Sequence, residues 1–499
     1  MKTVVSTEVM RRSDAAEIAK RTSSTELMRR AGEAVFNAYP WKGRVAVVCG
    51  MGNNAGDGYV LACRLHDAGI PCRLVLLEER FSEDGGFYFK ACLQRGIPWS
   101  VFSDKEAFSG DAELVDCLFG TGFYGSAQGR AALLIEHMNA SGLPIVSVDS
   151  NSGMNSDSGM GTPCVRSSLT LSIGSYKSGH FLGQAKDVIG ALQNADIGIP
   201  IAENAEVSHL IEAKDLCPVL PSREQLSHKG TYGYVGILGG CAEYAGAAKL
   251  ANLSCAALRS GCGVATLMVP RTIVPSVAPY LLESTLQPMS DDGEGHMTLD
   301  AAQLERLTAT QRALAVGMGW GSSPENERIL AHLLITYQGS LVIDADGINA
   351  LARLGAEKLR SANCRILLTP HLKEFERVSG YSMSEITNNP IGTARAFAKR
   401  YDVCVLLKGA CTVVTDGAQT YLVNRGCAGM ATAGSGDVLS GILAGLLGYA
   451  PLTPLTAAAG AYIAGRAGEL AEQETNPVSM IASDTVKQIA QAVGEILEA

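Results

Sequence analysis

The sequence has little of what marks many specialised proteins. No block of basic residues interrupts a chain of 41 Lys and Arg against 50 Asp and Glu, and the formal net charge of -9 gives no general attraction to nucleic acid. Nucleic acid is therefore not an expected partner. No stretch of about 18 uncharged apolar residues is present to span a membrane, and Met1 to Glu8 lacks the apolar core of a signal peptide. The 14 Cys form no close-set CxxC pair and no Cys/His cluster, which argues against a zinc site and against a secreted disulfide framework. A cytoplasmic protein without a membrane partner is the expectation. Aromatic residues are few, whereas 47% of the chain is apolar and 55 residues are Gly, a glycine-rich α/β composition. At 499 residues the chain is too long for one core, so two or three domains are expected.

The chain is organised around Asn424 to Gly441, where a glycine-rich loop runs into a helix expected to start at Asp437. Gly434 and Gly436 let the backbone turn tightly and bring N–H groups close to a ligand. From Asp437 to Leu447 nearly every residue is apolar or small, the pattern of a helix buried on all sides. Free N–H groups at such a helix start form an anion site suited to a phosphate in transfer, and Asp437 could take a proton from an attacking hydroxyl. The competing reading makes Asp437 an N-cap and nothing more.

In the first half, Ser23 and Glu26 have capping-box spacing, with Leu27, Met28, Ala31 and Val35 following at helical intervals. The apolar run Arg44 to Cys49 predicts a central parallel strand, leading to Gly50-Met51-Gly52-Asn53-Asn54-Ala55-Gly56-Asp57-Gly58, read as a loop. Its paired Asn residues suit a polar ligand or a cation; a plain Asn/Gly turn is the alternative. Further strands end at Asp116 to Gly122 and at Asp149 to Gly153, so that Asn54, Asp116, Asp149 and Ser152 would gather along one sheet edge. Helix-capping Asp residues are the rival account.

Together, Gly-x-Gly-Asn-Asn-x-Gly-Asp-Gly, Val-Asp-x-Leu-Phe-Gly-Thr-Gly and Val-Asp-x-x-Ser-Gly resemble the epimerase domain of the NAD(P)H-hydrate repair enzymes, over residues 1–215. The resemblance implies a Rossmann-like three-layer domain. It implies that Asn53, Asn54, Ala55, Gly56 and Asp57, with Gly120, Thr121, Gly122, Phe123, Tyr124, Gly125, Ser126 and Asp149, hold the hydrated nucleotide. Asn54, Asp116 and Ser152 would ligate K+. Lys177 and Gly179 match a further Lys-x-Gly element of that family. Ala55 stands where the family has Gly, and Ser150-Asn151 where it has Ile-Pro; the lost proline is expected to loosen the turn that aims Ser152.

Pro218 and Pro221 mark an expected boundary near 215–225. Beyond it come the strands Tyr234–Leu238, Ala313–Val316, Leu341–Ile343, Arg365–Leu368 and Val403–Leu407, and an alanine-rich helix continued by Ala256, Ala257 and Leu258. Gly317-Met318-Gly319-Trp320-Gly321, Asp344-Ala345-Asp346-Gly347-Ile348-Asn349, Thr369-Pro370-His371-Leu372-Lys373-Glu374, Lys408-Gly409-Ala410-Cys411-Thr412 and Gly434-Ser435-Gly436-Asp437 follow in order. His371 alone reads as an ordinary loop histidine. Lys408, just after a strand, could hold nucleotide phosphates.

This ordered set resembles the ribokinase-like ADP-dependent NAD(P)H-hydrate dehydratase domain, over residues 222–499; the family's Gly-Pro-Gly-Leu-Gly is here Gly-Met-Gly-Trp-Gly. The resemblance implies an α/β fold, Asp437 as the base, and Ala247, Gly321, His371 and Asp437 against the hydrate. Lys408, Gly409, Ala410, Cys411, Thr412 and Gly436 would hold ADP with Mg2+. Both resemblances together imply a bifunctional enzyme that epimerises NADHX and NADPHX and dehydrates the S epimer with ADP, and a homo-oligomer is the expected assembly. The alternative is a small-molecule kinase of vitamins or sugars with a non-catalytic nucleotide-binding module at its N-terminus.

Overall fold

Short runs of Val, Leu, Ile and Cys become strands buried on both faces, which is why they are apolar throughout rather than alternating. The computed structural model describes residues 1–105, 108–202, 204, 206–220, 222–256 and 259–499. Pro221, Ala257 and Leu258 lie outside the described residues. Two compact units emerge, Thr3–Ser208 and His209–Ala499 with Met1–Lys2.

In the unit Thr3–Ser208 the strands are β1 (Lys2–Val5), β2 (Val45–Cys49), β3 (Cys72–Leu76), β4 (Trp99–Val101), β5 (Glu113–Cys117), β6 (Ile145–Val148), β7 (Ser167–Ile173), β8 (Tyr176–Lys177) and β9 (Ile189–Ala195). Seven form a parallel sheet in the order β4-β3-β2-β5-β6-β7-β9. The order reverses between β2 and β5, so a crevice opens beyond their carboxyl ends, the usual place for a ligand in an open α/β sheet.

The helix Ser24–Ala38 starts where its sequence predicts, with Ser23 accepting from Glu26 N at 3.2 Å. The reciprocal half of the capping box is not among its bonds, because Glu26 turns its carboxylate to Arg29 and Arg30. A larger departure follows β2. Asn53–Asp67 is one helix capped by Gly52, so Asn53 to Gly58 are its first turns rather than a loop. The glycines there serve close packing: a Cβ on Gly56 would meet Met28 Sδ at 2.3 Å, and one on Gly58 would meet Cys117 Sγ at 2.8 Å.

In the second unit the strands are β10 (Ser208–Leu210), β11 (Tyr234–Leu238), β12 (Val264–Pro270), β13 (Thr285–Met289), β14 (Ala313–Val316), β15 (Ser340–Ile343), β16 (Arg365–Leu368), β17 (Cys404–Leu407), β18 (Thr412–Thr415) and β19 (Thr420–Val423). Their order is β13-β12-β11-β14-β15-β16-β17-β18-β19-β10, parallel from β13 to β17, then antiparallel through β18 and β19. Here the order reverses between β11 and β14.

The helix after the glycine-rich loop, Ser435–Leu447, begins two residues earlier than expected, because Gly434 serves as its N-cap in a left-handed conformation (φ 94°) that an L side chain would strain. Asp437 is therefore inside the first turn and is not the N-cap. Val438 to Leu447 are all buried, as the apolar sequence requires. Among the described residues no helix is long and apolar enough to cross a membrane.

Candidate active sites

Beyond β2 and β5 of the first unit lies a cavity of about 830 Å³, lined by Asn53, Asn54, Asp57, Gly120, Thr121, Gly122, Phe123, Tyr124 and Asp149 among others. Ala55 and Gly56 are packed behind the wall, and Gly125 and Ser126 are exposed outside the lining. A side chain on Gly120 would press on its neighbours, since a Cβ would lie 3.2 Å from Asn54 Cβ and 3.3 Å from Asp149 Oδ2.

Asp149 adopts a left-handed backbone (φ 66°), a strained state for a non-glycine residue that is held by what surrounds it. Its carboxylate accepts from Lys177 Nζ and, at 3.2 Å, from Thr121 N. Its carbonyl accepts from His180 Nε2 at 2.9 Å, while His180 Nδ1 accepts from Lys177 N at 3.2 Å. Burial works against the Asp149 charge, but the Lys177 ammonium holds its pKa below the ordinary carboxyl value. Burial also pushes His180 down to about 3, so it is neutral. Two further carboxyls face this lysine: burial raises Asp57 well above its usual value and Asp14 to about 6. Asp14 escaped the sequence reading because the helix Thr7–Lys20 that carries it has no marked apolar face.

Beneath the cavity floor Asp116 is fully buried. It accepts from Ser152 Oγ at 2.5 Å, Ser152 N at 2.9 Å, Ser147 Oγ at 2.9 Å and Leu118 N at 3.2 Å. Asn54 donates to the carbonyls of Phe119 (2.9 Å) and Val148 (3.1 Å), while its own Oδ1 is buried without a partner among the described residues. An orphaned carbonyl oxygen, two backbone carbonyls and one carboxylate make an all-oxygen donor set, which fits a hard cation such as K+. The turn that lacks the family's proline is not loose. Asn151 donates to Val165 O (2.9 Å), Ser167 Oγ (3.0 Å) and Val188 O (3.0 Å) and accepts from Thr170 Oγ1 (2.5 Å), so buried hydrogen bonds fix what a ring would have fixed.

In the second unit the candidate residues collect at the carboxyl ends of β11 and β14 to β17. Lys408 N donates to Pro370 O at 2.8 Å, which fastens the end of β17 beside His371. Lys408 Nζ lies 2.8 Å from Asp344 Oδ1 and 3.9 Å from Glu374 Oε2, and Ser440 Oγ donates to Asp344 Oδ2 at 2.6 Å. Burial opposes the Lys408 charge, yet Asp344 and Glu374 hold its pKa above the ordinary lysine value. Gly436 opens onto this pair: a Cβ there would stand 3.5 Å from Lys408 Nζ and 3.6 Å from Asp344 Oδ2. Burial, then the Asp344 charge, raise Asp437 to about 7. Ser435 Oγ, at the helix start, and Asn424 Oδ1, just after β19, are buried without partners among the described residues.

Ala247 packs against the Gly317–Gly321 loop, where a Cβ on Gly319 would meet Ala247 Cβ at 2.9 Å. Asp346 Oδ2 accepts from Gly321 N at 2.9 Å, and Ala345 before it has a left-handed φ of 50°. Met318 and Trp320, the departures from the family loop, are buried, with Trp320 Nε1 donating to Leu238 O at 2.9 Å. Both side chains belong to the core. His371 caps the helix Leu372–Ser379: its Nδ1 accepts from Lys373 N and Glu374 N, which leaves the proton on Nε2, 3.4 Å from Glu374 Oε1. Of the Lys408–Thr412 run, Gly409 and Ala410 are exposed at the hairpin tip and Cys411 is buried.

The geometry defines a class first: an α/β enzyme with a buried helix that starts at a glycine and carries a raised carboxyl in one unit, and a cavity with polar lining in the other. Comparisons narrow it. The NAD(P)H-hydrate dehydratase family matches residues 235–491, and the YjeF-related protein N-terminus matches residues 24–179. The bifunctional NAD(P)H-hydrate repair enzyme of Moorella thermoacetica is 35% identical over 88% of this chain and 86% of its own. A ribokinase-like superfamily protein of Enterococcus faecalis shares the fold (TM-score 0.52, 20% identity, 60% of this chain and 99% of that one). The ADP/ATP-dependent NAD(P)H-hydrate dehydratase of Bacillus subtilis, crystallised with ATP and Mg2+, aligns with TM-score 0.51 and 26% identity over 58% of this chain and 99% of its own. The chain belongs to the bifunctional NAD(P)H-hydrate repair enzymes.

Proposed function

We propose that residues 1–215 interconvert the R and S epimers of hydrated NADH and NADPH, and that residues 222–499 dehydrate the S epimer at the expense of ADP. The observation that carries the second half is Asp437 in the first turn of a buried helix, its pKa raised to about 7 beside Asp344 and Lys408. A base of that strength is matched to neutral pH. Asp437 takes the proton of the ring hydroxyl as that oxygen attacks the β-phosphoryl group of ADP, releasing AMP. N–H groups from Gly434 to Gly436 stabilise the charge on the moving phosphoryl group. Phosphate then leaves with the C–O bond as a neighbouring ring proton departs, and the dihydropyridine is restored.

Ala247, Gly321 and His371 contact the hydrate, and Lys408 to Thr412 with Gly436 the nucleotide. Asp344 and Glu374 fit a Mg2+ that arrives with ADP, since this ion is held through one or two carboxylates and the substrate phosphates. In the first unit the residues lining the cavity from Asn53 to Asp57 and from Gly120 to Tyr124, with Asp149, orient the hydrate. Asn54 and Asp116, aimed by Ser152, would hold K+, which supplies a fixed positive charge under the cavity.

The test is a mixture of hydrate epimers with and without ADP, following dihydronicotinamide absorbance and AMP. Complete ADP-dependent recovery of both epimers, beyond spontaneous exchange, is expected. Recovery that stalls after the S epimer removes the epimerase assignment, and formation of a stable phosphorylated product removes the dehydratase one.

A further inference from the structure

In the second unit, at the reversal of strand order between β11 and β14, three side chains converge that no step above uses. Cys241 follows β11, and its Sγ lies 3.1 Å from Glu243 Oε2. Glu243 Oε2 lies 3.2 Å from His296 Nε2, a residue far along the chain. The sulfur, the oxygen and the nitrogen all fall within 4.8 Å of one another. The Glu243–His296 edge has about the length expected between ligands around one tetrahedral ion with metal bonds of about 2.0–2.3 Å, and the Cys241–Glu243 edge is somewhat shorter than that geometry gives.

The surroundings are those of a ligand set. His296 Nδ1 lies 3.2 Å from Asp292 Oδ2, the partner that orients a metal-binding imidazole and leaves Nε2 free to coordinate. Asp292 Oδ1 accepts from Glu294 N at 2.8 Å and His296 N at 3.0 Å, so the carboxylate is itself held. Ala242 N donates to Gly295 O at 3.1 Å, which joins the two loops through their backbones. Cys241 is buried, Glu243 exposed and His296 between, so an ion can enter from solvent.

We propose that Cys241, Glu243 and His296 bind one divalent transition-metal ion, Zn2+ by the softness of a thiolate–imidazole–carboxylate set. The thiol proton leaves to solvent on coordination, and the fourth position is left to water. The ion fastens the Cys241–Glu243 loop to the Asp292–His296 loop beside Gly321, whose Cβ position is 3.2 Å from Cys241 Sγ. Local sequence spacing cannot reveal such a site, because its Cys and His belong to separate loops.

Titration of the full-length, nucleotide-free protein with Co2+ tests this directly. One equivalent should bind with a thiolate-to-cobalt charge-transfer band that Zn2+ displaces. Cys241→Ser should remove the band, His296→Ala should weaken binding at least tenfold, and Asp292→Asn should weaken it about 10–100-fold. Cys364→Ser, at a partly exposed thiol elsewhere, should leave it unchanged, with folding followed by circular dichroism. Absence of the band in folded wild-type protein at saturating Co2+ overturns the site, as does a band that survives Cys241→Ser or disappears in Cys364→Ser.

Discussion

Asp437→Asn separates chemistry from stability, because the fold holds this carboxyl in a form it does not prefer. Burial and the Asp344 charge raise its pKa from 3.8 to about 7. At 1.36 kcal/mol per pH unit that shift is worth roughly 4 kcal/mol against the ionised form, and partial exposure to solvent reduces the measurable share to about 2 kcal/mol. The neutral carboxyl is the one the fold favours, so the associated stability is present below pH 3.8 and lost as pH rises through 7. The Asn variant keeps the shape without the charge. It should be more stable than wild type by about 2 kcal/mol at pH 8, with the gain vanishing near pH 4, in the thermal transition that ADP shifts upward. Dehydration should fall by about 10²–10⁴-fold. Wild-type turnover should climb with pH as Asp437 ionises, a limb the variant lacks. Turnover near the wild-type value would refute the base, and equal stability at pH 8 would refute the buried charge.

Asp116→Ala should stop consumption of the R epimer while the S epimer is still dehydrated with ADP; equal consumption of both, after subtracting spontaneous exchange, defeats the division of labour. Asn151→Ala should destabilise the first unit by about 3 kcal/mol or more, read as a lower melting transition, because buried carbonyls of Val165 and Val188 lose their donor. His371→Ala should cost about 1 kcal/mol as a lost helix cap, which His371→Asn should restore, Asn being a strong cap. If KM for the hydrate rises in both variants, His371 also touches substrate; if it rises only with Ala, the residue acts through the helix.

Much of this was legible because it is written locally. The strands β2, β11, β14 and β16 are short aliphatic runs, and the buried helix Ser435–Leu447 is apolar on every side, so composition alone places them within a residue or two. The start of the helix Asn53–Asp67 was misread because its glycines look like loop residues, whereas they are there to let Met28 and Cys117 approach. Likewise, Asn151 in place of the proline of the family pattern reads as lost rigidity until Val165, Thr170 and Val188 are seen around it. Pairings between distant segments leave no local trace: Asp14 against Lys177, Cys241 against His296, and Asp344 against Lys408 required the fold.

That last pair changes how the nucleotide must be held. In the sequence Lys408 is a cation placed after a strand and available to phosphates; in the fold its ammonium is already bonded to Asp344 and near Glu374, with the Asp437 carboxyl acting on it as well. Three carboxyls against one ammonium give a region that repels a diphosphate at pH 8. N–H dipoles at the helix start supply only partial charge, so the balance must come with the ligand, as a divalent cation bridging phosphate and carboxylate. Chelating Mg2+ should therefore abolish ADP-dependent dehydration while leaving R-to-S exchange intact, since the donor set under the first cavity suits a monovalent ion. Both rates are read in one assay by following epimer composition and absorbance together. Dehydration that persists at full rate in excess chelator would mean that Lys408 leaves Asp344 for the nucleotide, and that the ion pair is a latch rather than a fixture.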